Sequence, residues 1–186
     1  MRIVSGTRKS IPLKALPGEA TRPTTDKVKE SLFNILGPYF DGEHVLDLFA
    51  GSGGLGLEAL SRGASHALFV EKNGKAVQVI KENIDKTRFS DQAELYKIDA
   101  KYAIERMVQE QKSFDLVFFD PPYAQVQLYG LANALFEKGL IAKDGIVVCE
   151  HDRKQDIEHL IPLATCYRKE VYGSLAISFF EQTTSI

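Results

Sequence analysis

The chain has 186 residues, 44% hydrophobic and 26% charged, enough apolar material for one compact soluble domain with a buried core and no disulfide staples. Its two cysteines, Cys149 and Cys166, stand in no metal-ligand spacing, and no apolar run approaches a membrane span or a signal core. The expectation is a cytoplasmic protein with no bound metal and no membrane association. The net charge of −2 is unevenly spread: residues 1–30 carry seven basic side chains against three acidic, a local +4, which leaves −6 on the remaining 156. A basic segment on an acidic body suits a polyanion-binding appendage as well as a solvated leader.

Residues 1–23 hold short apolar pieces broken by Gly6, Pro12, Pro17, Gly18 and Pro23, the pattern of a small hairpin or loop-rich arm. They are read as an N-terminal appendage to a main domain over 24–186. A helix follows, capped by Thr24 or Thr25, with Asp26 in its first turn. Its apolar stripe is Val28, Leu32, Phe33, Ile35 and Leu36, and Gly37-Pro38 ends it.

From residue 45 strand-like and helix-like stretches alternate. Val45–Phe49, Ala67–Glu71, Glu94–Ile98, Leu116–Phe119 and Ile146–Glu150 read as short strands buried on both faces. Helical patterns lie between them: Leu55–Arg62, then Val77, Ile80 and Ile84, then Ile104, Met107 and Val108, then Leu128, Leu131 and Leu135. Repeated βα units predict a doubly wound α/β fold with a parallel sheet. Ala164–Val171 and Ser174–Phe180, around Tyr172-Gly173, predict an antiparallel pair at the sheet edge.

The first strand empties into Ala50-Gly51-Ser52-Gly53-Gly54-Leu55-Gly56 and a helix, and Glu71 ends the next strand. Gly51, Gly53 and Gly56 satisfy a dinucleotide fingerprint, and an acid at the second strand tip can accept from ribose hydroxyls. Asp47 argues against a pyrophosphate, which a neighbouring carboxylate would repel. S-adenosylmethionine, with a sulfonium, an ammonium and no phosphate, removes the conflict. Its methionyl end would lie near Asp47, its ribose at Glu71 and its adenine amino group at Asp99. The bland alternative is that these acids are ordinary caps of strand-to-helix turns.

The fourth strand, Leu116–Phe119, ends in Asp120-Pro121-Pro122-Tyr123. A strand order of 3-2-1-4-5 would put its tip across the switch point from the glycine loop. An exocyclic base amine is a poor nucleophile because its lone pair is delocalised into the ring. Acceptors on both amino hydrogens localise that pair: the Asp120 carboxylate is one and the Pro121 carbonyl another. Tyr123 offers a face for an extruded base. Alone, Asp-Pro-Pro-Tyr would read as a stiff turn; after a cofactor-type loop it points to methyl transfer onto a base amine. His44, His66, His151 and His159 form no ligand spacing and read as surface or turn residues, while Cys149, Phe118 and Phe119 read as core.

Over essentially its whole length the chain resembles the RsmD family of bacterial methyltransferases for a guanine N2 amino group in 16S ribosomal RNA. The resemblance is carried by Gly6, Thr21-Arg22-Pro23-Thr24, Asp26, Val28-Lys29-Glu30 and Phe33-Asn34. It continues through Asp47 to Gly53, Leu57 to Ala64, Glu71-Lys72, Asp99 and Asp120 to Tyr123. It implies a Rossmann-like, seven-stranded, mostly parallel sheet with an antiparallel last strand, and action on the small ribosomal subunit rather than naked RNA. It also implies cofactor contacts from Asp47, Phe49, Ala50, Gly51, Ser52, Gly53, Glu71, Lys72, Asp99, Ala100 and Asp120. Catalysis would fall to Asp120, Pro121, Pro122 and Tyr123, with S-adenosylhomocysteine as product. RNA contacts are expected from Arg8, Lys9 and Arg22, and the enzyme is expected to be a monomer. Many relatives carry a Gly-basic pair where this chain has Ser10-Ile11, so Arg8 and Lys9 would supply the missing charge.

Three rivals remain. Asp-Pro-Pro-Tyr also serves adenine-N6 methyltransferases, although there is little room for a separate DNA-reading region. A nicotinamide oxidoreductase is disfavoured by Asp47. A non-catalytic RNA-binding assembly protein would not need Asp120 and Tyr123.

Overall fold

Seven strands make one mixed sheet in the order β3-β2-β1-β4-β5-β7-β6, in a computed structural model that describes residues 1–17, 25–122 and 124–184. Arg22, Thr24 and Tyr123 lie outside the described residues, as does the boundary expected at residue 23. The chain forms two compact units, Met1–Ala100 and Lys101–Ile186. No helix among the described residues is long and apolar enough to cross a membrane.

The first unit opens with a hairpin. Across it Ile3 N donates to Ile11 O, Ser10 N donates to Ile3 O, and Leu13 N donates to Met1 O. Ser10 takes φ +72°, the left-handed region that favours glycine. The hairpin is docked rather than dangling, with Ile3 and Leu13 buried. Three polar side chains fix it. Glu58 accepts from Val4 N and Ser5 N. Ser61 Oγ donates to Ser5 O and accepts from Arg8 N. Asn83 holds Lys14.

Helix α1, Asp26–Leu36, is capped by the Thr25 side chain, which accepts from Val28 N, and ends at Gly37. Leu32 and Phe33 anchor its apolar face, but its third buried residue is Lys29. Lys29 Nζ donates to Arg2 O and lies 3.5 Å from the Glu58 carboxylate; burial pulls its pKa down. Arg62 completes the cluster, with Nε on Glu58 at 2.9 Å and its guanidinium over the Phe33 ring. Removing one member of such a buried group costs about 3–5 kcal/mol because the others are left uncompensated.

Three parallel strands follow: β1 His44–Leu48, β2 His66–Val70 and β3 Ala93–Tyr96, with β2 between the other two. β1 and β2 are almost wholly buried, in keeping with their mainly apolar sequences, although β1 carries Asp47 within it. The expectation of full burial fails for β3, an edge strand with only Tyr96 buried. Helices α2, Gly54–Ser61, and α3, Gly74–Thr87, connect the strands.

Helix α4 spans Ala100–Gln109, all but its first residue in the second unit, and β4 spans Phe114–Phe119. The buried row of α4 is Ala100, Ala103, Ile104 and Met107, whereas Val108, expected in the core, is 40% exposed. Position 108 falls on the flank of the row through 100, 103, 104 and 107 rather than at its centre. A 3-10 turn, Val126–Tyr129, leads into α5, Gly130–Glu137, whose inner face is Ala132, Leu135 and Phe136 rather than a stripe through Leu128 and Leu131.

β5 runs Ile141–Asp152, longer than its apolar core suggests, because it pairs on both edges. It is parallel to β4 and antiparallel to β7, Leu175–Gln182. β6, Ala164–Tyr172, pairs antiparallel with β7 through the Gly173 turn and forms the outer edge. The expected terminal pair is present, with β7 on the inside of it.

Candidate active site

At the end of β1 the chain turns abruptly. Phe49 has φ +65°, an unusual conformation for a bulky side chain, one that costs of order 1–3 kcal/mol and persists only where its surroundings enforce it. Backbone bonds do so: Ala50 N donates to Val70 O and Gly53 N to Ala50 O. Gly53 takes φ +82° as the N-cap of α2 and has no side chain to cap the helix.

Asp47 performs that service. Its Oδ2 accepts from Gly56 N at 3.0 Å, in the third position of the helix. The bland reading of this acid as a helix cap is therefore realised, but it does not exhaust the residue. Asp47 is 3% exposed, and burial pushes its pKa up to about 7, with the Glu71 charge adding to the rise and the Gly56 bond opposing it. A cation placed beside such a carboxyl would favour its ionised form. Gly56 matters sterically, since a Cβ there would lie 2.4 Å from Phe69 Cε1 and 3.2 Å from Asp47 Oδ2.

Glu71 joins the same loop. Oε2 accepts from Gly51 N at 2.9 Å and Oε1 from Asn73 N at 3.0 Å, so the acid at the second strand tip supports the glycine turn. Lys72 and Asp99 form an exposed pair at 3.5 Å, and Ala100 is buried at the start of α4. Ser52 contributes its carbonyl to Asn83 Nδ2 at 2.9 Å. The loop thus presents a buried acid, backbone brought close by small residues, and a second acid from the tip of the neighbouring strand. This fits a ligand with one positive end and hydroxyls beyond it.

In the second unit Asp120 is half-buried, Pro121 buried and Pro122 exposed, and the Pro122 carbonyl accepts from Gln125 N at 3.0 Å. Behind Asp120 lies Tyr129, which the sequence reading missed. Its ring sits 5.7 Å from Phe119 and 6.2 Å edge-on from His151, and its hydroxyl donates to Glu150 O. Burial, reinforced by the Asp120 charge, drives its pKa far up, so the phenol stays protonated.

His151 corrects a second expectation. It is buried, not a surface residue, with Nδ1 on Asp152 O at 2.9 Å and Nε2 on Ser178 Oγ at 2.8 Å. A carbonyl only accepts, so Nδ1 carries the proton, and burial lowers the pKa toward the neutral ring. Cys149, Phe118 and Phe119 are core residues as expected.

Several cations of the basic segment have internal partners. Arg2 pairs with Asp26 and Lys14 with Glu82, and Lys29 is buried with Glu58. Arg8 Nε donates to Thr87 O at 2.7 Å, and the guanidinium lies 5.0 Å from the Phe89 ring centroid. Lys9 is exposed near the hairpin tip.

Residues 1–181 match the model of the family described as Conserved hypothetical protein 95. The chain belongs to this family. It is the RsmD family that the motifs pointed to, and its members carry informative names. A Bacillus subtilis relative, "Putative rRNA methyltransferase YlbH", is 43% identical, covering 98% of this chain and 99% of its own. "Ribosomal RNA small subunit methyltransferase D" of Haemophilus influenzae is 41% identical over 84% of this chain and 81% of its own. Among solved structures, "Putative methyltransferase yhhF from Escherichia coli" superposes with a TM-score of 0.83 at 31% identity, covering 98% of this chain and 97% of that one.

Proposed function

We propose that this RsmD-family chain transfers a methyl group from S-adenosylmethionine to the N2 amine of a guanine in 16S ribosomal RNA, within the small subunit. The observation that carries the reading is Asp47: a buried carboxylate with a pKa of about 7 beside a glycine turn suits a ligand whose near end is cationic. Support for the RNA substrate comes from relatives named as ribosomal RNA methyltransferases.

Asp47, Phe49, Ala50, Gly51, Ser52, Gly53, Glu71, Lys72, Asp99, Ala100 and Asp120 would hold the cofactor, whose sulfonium supplies an electrophilic methyl group. Asp47 attracts the ammonium, Glu71 accepts from the ribose, and Asp99 takes the adenine edge. Asp120 and the Pro121 carbonyl accept the two amine hydrogens, which returns lone-pair density to nitrogen, while Pro122 stiffens the turn and Tyr123 stacks on the base. Arg8, Lys9 and Arg22 contact backbone phosphates. The enzyme works in the cytoplasm as a monomer.

The test offers labelled cofactor together with undermethylated small subunits, naked ribosomal RNA and duplex DNA, followed by digestion to nucleosides. N2-methylguanosine from the subunits is expected. N6-methyladenine, or faster labelling of DNA, would replace this reading with an adenine methyltransferase.

A further inference from the structure

Asn83 stands on α3 with its side chain sealed from solvent and each polar atom committed. Nδ2 donates to Lys14 O at 3.0 Å and to Ser52 O at 2.9 Å, and Oδ1 accepts from Lys14 N at 2.8 Å. Lys14 belongs to the return limb of the N-terminal hairpin, and Ser52 lies between the first two glycines of the loop. One amide thus ties together two segments remote in sequence. A second contact runs in parallel: Ser52 Oγ lies 3.7 Å from Met1 Sδ, and a Cβ on Gly54 would lie 3.2 Å from the same sulfur.

Asparagine is the side chain the junction needs. It offers two N–H donors and one acceptor in a short rigid plane, whereas aspartate would turn oxygen toward two carbonyls and leucine would orphan all three backbone groups. Displacing the hairpin strands buried polar atoms on Asn83, and displacing the loop does the same, so each position stabilises the other. The neighbouring ion pair between Lys14 and Glu82 is exposed and contributes little to this connection.

We infer that Asn83 is a positioning residue that couples the N-terminal hairpin to the glycine loop, so that anchoring the hairpin on RNA tightens cofactor binding at the loop. The inference rests on reading the loop as the cofactor site and the hairpin as an RNA contact. Coupling of this kind is reciprocal: cofactor must tighten RNA binding by the same factor.

Calorimetry of S-adenosylmethionine binding to the whole chain, well below each variant's melting temperature, tests the link. Asn83→Asp should weaken binding about five- to tenfold, the equivalent of one or two hydrogen bonds. Lys14→Ala, which keeps the backbone contacts, should bind as wild type. In wild type, saturating cofactor should slow hydrogen exchange at Ser10 N and Leu13 N, the hairpin's own bonds. That measurement decides the matter even when Asn83→Asp does not fold. Undermethylated small subunits should raise cofactor affinity in wild type and less so in Asn83→Asp. An Asn83→Asp protein that melts earlier but binds cofactor normally, or unchanged hairpin exchange on saturation, overturns the coupling. A wild-type chain that binds no S-adenosylmethionine defeats the reading of the loop itself, and the inference falls with it.

Discussion

The carboxylate of Asp47 and the amide of Gly56 meet at 3.0 Å inside the protein, joining the middle of a buried strand to the first turn of the helix after it. The bond lets an acid survive where solvent is excluded, and it leaves that acid poised near pH 7. A carboxyl whose folded pKa lies above its ordinary 3.8 holds its proton more tightly in the native state. Its contribution to stability is therefore complete below about pH 4 and falls away as pH rises to about 7. Asp47→Asn keeps an acceptor for Gly56 without the ionisation. It should melt higher than wild type above pH 7 while losing most of its cofactor affinity. Wild-type binding should release a proton near neutral pH, read as a buffer-dependent binding enthalpy.

Gly56→Ala should be destabilising. Its Cβ would overlap Phe69 Cε1 at 2.4 Å, and Phe69 is fully buried, so the ring has nowhere to swing. Overpacking of this kind costs about 1–3 kcal/mol. Denaturant unfolding should show a lowered midpoint with an unchanged slope.

Ser10→Gly should act in the opposite direction. The residue takes φ +72°, and relieving a left-handed serine gains up to about 1 kcal/mol after the extra backbone entropy of glycine is subtracted. A raised melting temperature with unchanged methyl transfer would match. A lowered one would mean that the Ser10 hydroxyl holds the turn.

Asp120→Ala should reduce turnover by orders of magnitude, far more than it weakens cofactor binding, because its catalytic partner is the target amine. Tyr123→Phe should retain more activity than Tyr123→Ala, since stacking needs only the ring. Equal losses in the two Tyr123 variants would assign the role to the hydroxyl.

Lys9→Ala and Arg8→Ala should separate. Lys9 is exposed, so its loss should flatten the salt dependence of RNA binding without changing stability. Arg8 also bonds Thr87 O and covers Phe89, so its loss should lower the melting temperature as well. A salt slope unchanged in the Arg8, Lys9 and Arg22 triple variant would make the segment structural.

The sheet was legible because its strands are mainly apolar runs: β1, β2 and β4 begin and end within two residues of where Val45, Ala67 and Leu116 suggest. β3 was misjudged because edge and central strands share a composition, and Val108 because a three-residue apolar pattern does not fix a helix face. Polar contacts across long sequence separations leave no periodic trace. Nothing in Lys29, Asn83 or His151 announces burial, since each is buried by partners remote in the chain. The i,i+4 spacing of Glu58 and Arg62 was the one local clue to the ionic cluster. The positive φ of Phe49 had none.

The order β5-β7-β6 also constrains when this protein can fold. β6 is made before β7, yet it has no place in the sheet until β7 lies between it and β5. During synthesis the ribosome therefore releases an unpaired edge on β5 and a waiting β6, and both stay open until β7 emerges. The sheet of Lys101–Ile186 therefore closes only once β7 is available, and a pause before residue 175 would leave two adhesive strand edges facing the cell.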